Sequence, residues 1–338
     1  SYQDLYKNSS QISQILAASQ VVKGDKILLW APNSPYWVAA FFAIVLRGAV
    51  VVPINIENKP DFINKIIRET AAKLLIKSKF LPKLKIKTLI LESLPPPPTV
   101  SAASQKSTAE NDLAEIVYTS GTTGDPKGVM LTHQNILANV ASTLQVIPLT
   151  DKDRSLSILP LSHMFEQVAG MLIPLSVGAQ ITYPAAINSI EISKNMIEDK
   201  VTKLVAVPEF LKLIIKRIEG EAEKSGKKVL LENLFKISKL LPAMWLRRTL
   251  VRPILKKFGG QLDTIASGGA ALDETIGQKW EALGIYVLQG YGTTETAPVI
   301  SANSYSNRQI ASVGKPVPGV EVKIAQDGEI LVQGPNVT

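Results

Sequence analysis

The chain has 338 residues, 46% of them apolar and 20% charged, with a net charge of +8. That is about two domains' worth of chain with enough apolar residues for a substantial core, which excludes a disordered tail, a collagen-like fibre and a disulfide miniprotein. Cysteine is absent and histidine occurs only as His133 and His163, which excludes thiolate chemistry and argues against a multi-His metal centre. In chain order, strands are predicted over 26–30, 49–54, 73–76, 88–91 and 114–119, with helices over 35–47 and 62–70 between them. The second half predicts strands over 156–159, 180–183, 203–207, 263–267 and 286–289, and helices over 135–145, 165–176, 190–199, 209–224 and 274–283. Such alternation means βαβ units, hence an α/β fold with two lobes and mostly parallel sheets.

Punctuation sets the expected boundaries. Four prolines, Pro95 to Pro98, favour an extended, solvated backbone. The expected organisation is a first α/β lobe over 1–98, a linker over 99–111, a second lobe over 112–305, and an antiparallel unit over 306–338. In that last segment, 320–324 and 329–332 alternate apolar and polar residues around Asp327-Gly328, a hairpin signal read as the start of a small antiparallel β-barrel. The longest apolar run, 38–46, falls short of the roughly 20 residues a membrane-spanning helix needs. The opening residues show neither a leader pattern nor an initiator Met, and the chain is read as part of a longer, cytoplasmic protein.

The positive charge is local. Between Lys212 and Lys257 stand thirteen Lys/Arg and four Glu, a net of +9, leaving about −1 for the rest. This is not the footprint of a nucleic-acid-binding protein, and no nucleic-acid partner is expected. Apolar residues are spaced within it as stripes: Leu211, Leu213, Ile214 and Ile218, then Leu231, Leu234, Ile237, Leu240 and Leu241, then Trp245, Leu246 and Leu250. One reading is a solvated basic face over buried stripes. The other is a surface that meets anionic lipid or an acidic carrier protein.

The segment richest in chemistry is Thr119-Ser120-Gly121-Thr122-Thr123-Gly124-Asp125-Pro126-Lys127, which follows an apolar strand. Glycines let the backbone approach a ligand, and successive N–H groups in such a turn form a nest for an anion. Four hydroxyls and Lys127 add donors and a charge, so a polyphosphate is the natural ligand; a flexible turn is the plainer alternative. The segment is not a Walker A loop, because Pro126 stands where the second glycine belongs. Gln289-Gly290-Tyr291-Gly292-Thr293-Thr294-Glu295 is not a dinucleotide fingerprint either, since Glu295 occupies the third glycine position. A tyrosine between glycines offers a flat face with space beside it. Ser267-Gly268-Gly269-Ala270-Ala271-Leu272 is weaker evidence, because any strand–turn–helix needs glycine. Alone, His163 reads more readily as a structural histidine, and His133 as a structural or capping residue near a helix start.

Taken together, these segments resemble, in order, the acyl- and aryl-adenylating enzymes: acyl-CoA synthetases, luciferases and peptide-synthetase adenylation domains. The match includes Tyr118 to Gly128, Pro160-Leu161-Ser162-His163-Met164-Phe165-Glu166, Ser267 to Leu272, Gln289 to Glu295 and Val313-Gly314-Lys315-Pro316. The resemblance implies ATP-dependent activation of a carboxylic acid to an acyl-adenylate with release of pyrophosphate, then thioester formation with coenzyme A. It implies ATP phosphate binding by Thr119, Ser120, Gly121, Thr122, Thr123, Gly124 and Lys127. It places the adenylate at Gly269, Ala270, Gln289, Gly290, Tyr291, Gly292, Thr293 and Thr294, with Tyr291 on the adenine and Thr294 on the α-phosphate. Glu295 is implied to hold Mg²⁺, and Thr294, Glu295 and Lys127 to form the catalytic set. His163, Phe165 and Phe210 would line the acyl site. The basic helical insert and the Phe165-Glu166 pair point to a long-chain fatty acid. An acyl carrier protein as acceptor and a non-catalytic adenylate- or acyl-binding module are the alternatives. The family's ribose-binding Asp, hinge Arg and catalytic Lys are expected downstream of the last residues, so this chain alone is expected to adenylate poorly.

Overall fold

The computed structural model describes residues 1–95, 108–119 and 126–338. Two compact units are present, 1–137 with 160–164 and 338, and 138–159 with 165–337.

In the first unit, α1 (Tyr2–Ala18) starts at a capping box in which the Ser1 and Asp4 side chains each satisfy the other's backbone amide. It buries Ile12, Ile15 and Leu16 and packs on α2 (Pro35–Leu46). No element was expected here, because a Ser/Gln-rich helix carries only a narrow apolar stripe. β1 (Lys26–Trp30) is followed, after α2, by β2 (Val50–Pro53), α3 (Pro60–Thr70), β3 (Leu74–Lys77) and β4 (Thr88–Ile90). β5 (Leu113–Thr119) and β6 (Lys127–Thr132) complete a six-stranded sheet in the order β4-β3-β1-β2-β5-β6, parallel except for the β5–β6 pair. The strand before the Gly/Ser/Thr segment, expected to open the second lobe, therefore lies in the first sheet, beside β2. Near-continuous Val/Ile/Leu runs, such as Leu28, Val50, Val52 and Leu75, fill the core on this sheet.

After α4 (His133–Val146), the second unit carries β7 (Arg154–Leu156), a π-helix over Glu166–Leu172, α5 (Ile173–Ser176), β8 (Gln180–Thr182), α6 (Ser189–Glu198) and β9 (Lys203–Ala206). Next come α7 (Pro208–Lys224), α8 (Lys228–Leu240), α9 (Met244–Leu250) and α10 (Arg252–Leu255). β10 (Thr264–Ser267), α11 (Glu274–Ala282), β11 (Tyr286–Gly292), β12 (Val299–Ala302) and β13 (Lys315–Pro316) close the unit. The seven strands run β13-β12-β11-β10-β9-β7-β8, parallel from β8 to β11 and antiparallel beyond. β14 (Glu321–Ile324) and β15 (Ile330–Gln333) form a two-stranded antiparallel sheet, as the hairpin signal expects, but among the described residues no barrel is closed.

The basic segment corrects one expectation. α8 turns Leu231, Phe235 and Ser238 inward, with the Ser238 hydroxyl donating to the Ala282 carbonyl of α11. Ile237, Leu240 and Trp245 are exposed rather than in a buried stripe, Leu240 at 82% and Trp245 at 67%. Leu213 of α7 is likewise exposed, while Leu211 and Ile215 are buried. Packing against α11 chose the inward face, and the apolar residues left over face solvent. Among the described residues, no helix is long and apolar enough to cross a membrane.

Candidate functional site

In a parallel sheet the backbone at the carboxyl ends of the strands opens into a crevice edge, where ligands commonly bind. In the second unit, β9, β10 and β11 end side by side, with Ala206 and Gln289 flanking Ser267 in register. The Ser267–Leu272 and Gln289–Glu295 motifs are therefore neighbours, and they are fastened together. Gln289 Oε1 accepts from the Leu272 amide at 2.7 Å, and Gln289 Nε2 donates to the Ser312 carbonyl at 3.1 Å. Gly269 holds a φ of +80°, with the Val207 side chain 3.7 Å from where a Cβ would stand. Here glycine satisfies a backbone that an L side chain rarely adopts. Gly292 is needed for a different reason: its backbone passes so close to Pro298 that a Cβ would overlap the Pro298 carbonyl.

From this edge Tyr291 projects 38% exposed, followed by half-buried Thr294 and exposed Glu295. The turn that carries them is held from beneath. Thr293 and Thr296 form a reciprocal cap, and the buried Thr296 hydroxyl shares its single proton between the Thr293 and Pro298 carbonyls, at 2.9 and 2.7 Å. Asn139, buried on α4, donates to the Thr296 and Val299 carbonyls at 3.3 and 2.7 Å and accepts from the Val299 amide at 3.2 Å. Asn336 donates to the same two carbonyls at 2.8 and 3.2 Å. Neither asparagine was picked out from the sequence. Asn139 sits 160 positions from Val299, and no local pattern announces such a pairing.

Phe165 belongs to this unit, with its ring over the Gly268 backbone: a Cβ on Gly268 would stand 3.1 Å from Phe165 Cζ. Phe210, at the start of α7, packs half-buried against the main core cluster. A small, largely apolar cavity in the same unit is lined by Ile147, Ala169, Ile173, Leu204, Val205 and Ala266.

In the first unit, Thr119 and Lys127 stand opposite each other as the last pair of the β5–β6 ladder, with Lys127 exposed. That hairpin frames the Gly/Ser/Thr segment; Ser120, Gly121, Thr122, Thr123 and Gly124 lie outside the described residues. The Tyr118 hydroxyl donates to Glu69 at 3.0 Å, and burial together with the Glu69 charge holds its pKa above the usual range. His163 also belongs here. Its Nε2 is 3.3 Å from Asn55 Nδ2, and burial pushes its pKa down, opposed by the Glu57 charge. It is therefore neutral at pH 7 and able to accept a hydrogen bond. The cap expected near His133 belongs to Thr132 and Asn135, whose side chains each satisfy the other's backbone amide. His133 begins α4, and burial lowers its pKa.

Among the described residues, no group of three His, Cys, Asp or Glu could enclose a metal ion. Glu295 is a single accessible carboxylate. That donor set fits Mg²⁺ as nucleotide sites use it, with one or two protein oxygens and the rest from phosphate and water.

The whole chain, residues 1–338, matches the family model described as AMP-binding enzyme. The long-chain-fatty-acid–CoA ligase FadD15 of Mycobacterium bovis is 26% identical over 93% of this chain and 59% of its own length. AEE15 of Arabidopsis thaliana, a chloroplastic long-chain-fatty-acid–[acyl-carrier-protein] ligase, is 26% identical over 99% of this chain and 58% of its own. The chain thus spans under two thirds of the length of these curated relatives. Among solved structures, the O-succinylbenzoate coenzyme A synthetase of Bacillus subtilis in complex with AMP superposes with a TM-score of 0.76 at 24% identity, covering 100% of this chain and 82% of that one. That likeness is one of fold.

Proposed function

The chain belongs to the AMP-binding enzyme family, and on that premise we propose that it serves the ATP-dependent activation of a carboxylic acid, a long-chain fatty acid, to an acyl-adenylate. The observation that carries the reading is the pairing of the two strand-end motifs on β10 and β11 in a chain matched by the family from end to end.

A carboxylate is a poor acyl donor, because oxide would have to leave. Attack of its oxygen on the α-phosphorus of ATP forms the acyl–phosphate bond and expels pyrophosphate, after which a thiol displaces AMP. Little covalent work falls to the protein; its contribution is positioning and neutralisation of charge. In this reading Thr119, Lys127 and the hydroxyl and amide groups between them hold the β- and γ-phosphates. Tyr291 stacks on adenine, with Gly269, Ala270, Gly290 and Gly292 leaving space for the flat ring. Thr294 donates to the α-phosphate. Glu295 would hold Mg²⁺, which would offset charge on the phosphates. Neutral His163, with Nε2 facing the Asn55 amide, orients the acid at the carboxylate end as a donor through its other ring nitrogen, and Phe165 and Phe210 face the acyl chain.

Coenzyme A is the proposed thiol acceptor. The similarity to AEE15 favours an acyl carrier protein as the second reading. The exposed Leu240, Ile237 and Trp245 among the Lys and Arg residues of 212–257 support peripheral contact with an anionic membrane face. The test of the activity is pyrophosphate release with ATP and Mg²⁺ over a series of fatty acids. Release should depend on the acid and favour long chains, and Thr294→Ala should lower kcat about 100-fold. Release independent of any acid would overturn the reading.

A further inference from the structure

The mechanism leaves Glu166 without a task. Its side chain is fully buried. The Ser157 hydroxyl and the Leu159 backbone amide lie against its carboxyl. One turn on, Gly170 makes room for it: a Cβ there would stand 2.6 Å from Glu166 Cδ. Glu166 opens the π-helix, a wide turn that is rare and concentrates at functional sites.

Among the described residues, the elements packed on the π-helix bring no free positive charge to the acid. β9 packs against the π-helix, but its Lys203 is committed to Asp153 and Asp263 at 3.1 and 2.6 Å. α5, which continues the helix, carries Ile173, Pro174, Leu175 and Ser176 and no charge. Burial accordingly pushes the carboxyl up to about 8, against the two hydrogen-bond donors, so it is predominantly protonated at pH 7.

The same segment shapes two surfaces. Phe165, immediately before it, covers Gly268, and Ala169 and Ile173 form part of the cavity wall. We propose that Glu166 is a positioning residue for the acid substrate: its buried carboxyl, set against Ser157 and Leu159 and folded over Gly170, fixes the π-helix so that Phe165 covers Gly268 and Ala169 and Ile173 wall the apolar cavity, which this reading gives to the acyl chain. The inference rests on the acid-activation reading for its substrate.

The experiment measures palmitate binding by equilibrium dialysis from pH 6.5 to 9.5, beside the KM for ATP and the KM for palmitate in pyrophosphate release. Wild type should lose palmitate affinity about tenfold between pH 7 and pH 9, as the carboxyl ionises in its apolar surroundings. Its KM for ATP should not follow. Glu166→Gln, which keeps the shape and a neutral group, should bind palmitate as wild type does at pH 7 and show no loss at pH 9. Glu166→Ala should weaken palmitate binding at every pH, with the KM for ATP unchanged. Unaltered palmitate affinity in Glu166→Ala, a pH-dependent loss that persists in Glu166→Gln, or absence of palmitate binding to wild type would each overturn the proposal. Intact palmitate binding without acid-dependent pyrophosphate release would instead refute the activation chemistry and leave the positioning role to be judged on the dialysis alone.

Discussion

Two parts of the second unit face the same problem, holding irregular backbone in place beside a strand end, and they solve it differently. The turn after β11 is fixed by neutral groups. Thr296, Asn139 and Asn336 occupy the carbonyls of residues 293, 296, 298 and 299 from several directions. The π-helix at 166–172 is arranged instead around one buried carboxyl with donors but no counter-charge. The first arrangement is redundant and insensitive to pH. The second depends on a single proton. The contrast teaches that backbone near a strand end can be held either by many shared hydrogen bonds or by one group whose burial is tolerated only in its neutral form.

Substitutions sharpen that contrast, beginning with the largest expected effect. Gly292→Ala would force a methyl into the Pro298 carbonyl, so the turn must move. The expected loss is about 3 kcal/mol or more of unfolding free energy, read by denaturant titration. A loss under about 1 kcal/mol would mean that the turn is looser than its hydrogen bonds suggest. Asn139→Leu removes three bonds to the turn and should cost about 2 kcal/mol at every pH. Asn336 still serves the two carbonyls, which is why the loss should not be larger.

The π-helix should respond to pH where the turn does not. For Glu166 the sign follows from the raised folded value. Below pH 4.5, the group's ordinary value, folded and unfolded chains both hold the proton. Between there and about 8 only the folded chain holds it, and stability falls by about 1.4 kcal/mol per pH unit at most. Glu166→Gln lacks this term, so its melting temperature should gain on wild type as pH rises from 5 to 8 and level off above. Parallel melting curves across that range would show that the carboxyl does not titrate as its burial demands. The smallest effect belongs to the surface. Lys257→Ala removes an exposed pair with Glu221 and should change stability by less than about 1 kcal/mol, less still in high salt.

How much of this was legible beforehand depends on the range of the interactions. Buried Val/Ile/Leu runs located β1, β2, β3 and β5 within a residue or two, because a strand covered on both faces is apolar throughout. The motif segments stood out because their glycines and hydroxyls are contiguous. β6 was not recognised as a strand, since Lys127, Gly128 and Met130 are exposed along it and only pairing with β5 makes it one. The stripe assigned to α8 failed for a related reason. Its helix has two apolar faces, and periodicity alone does not say which one is buried. Glu166 was noticed as a neighbour of Phe165, but a lone acid in an apolar stretch says nothing about burial.

The amino-acid sequence by itself determined the alternation of strands and helices, the α/β class and the positions of the glycine-rich turns. These depend on residues within a few positions of one another, where side-chain size, branching and backbone freedom act directly. The tertiary structure alone decided which face of α8 went inward, that β10 and β11 set their two motifs side by side, and that Asn139 would grip a turn 160 positions away. Those outcomes rest on burial and on hydrogen bonds between distant segments, whose energies exist only once the chain has brought the groups together and removed the water between them.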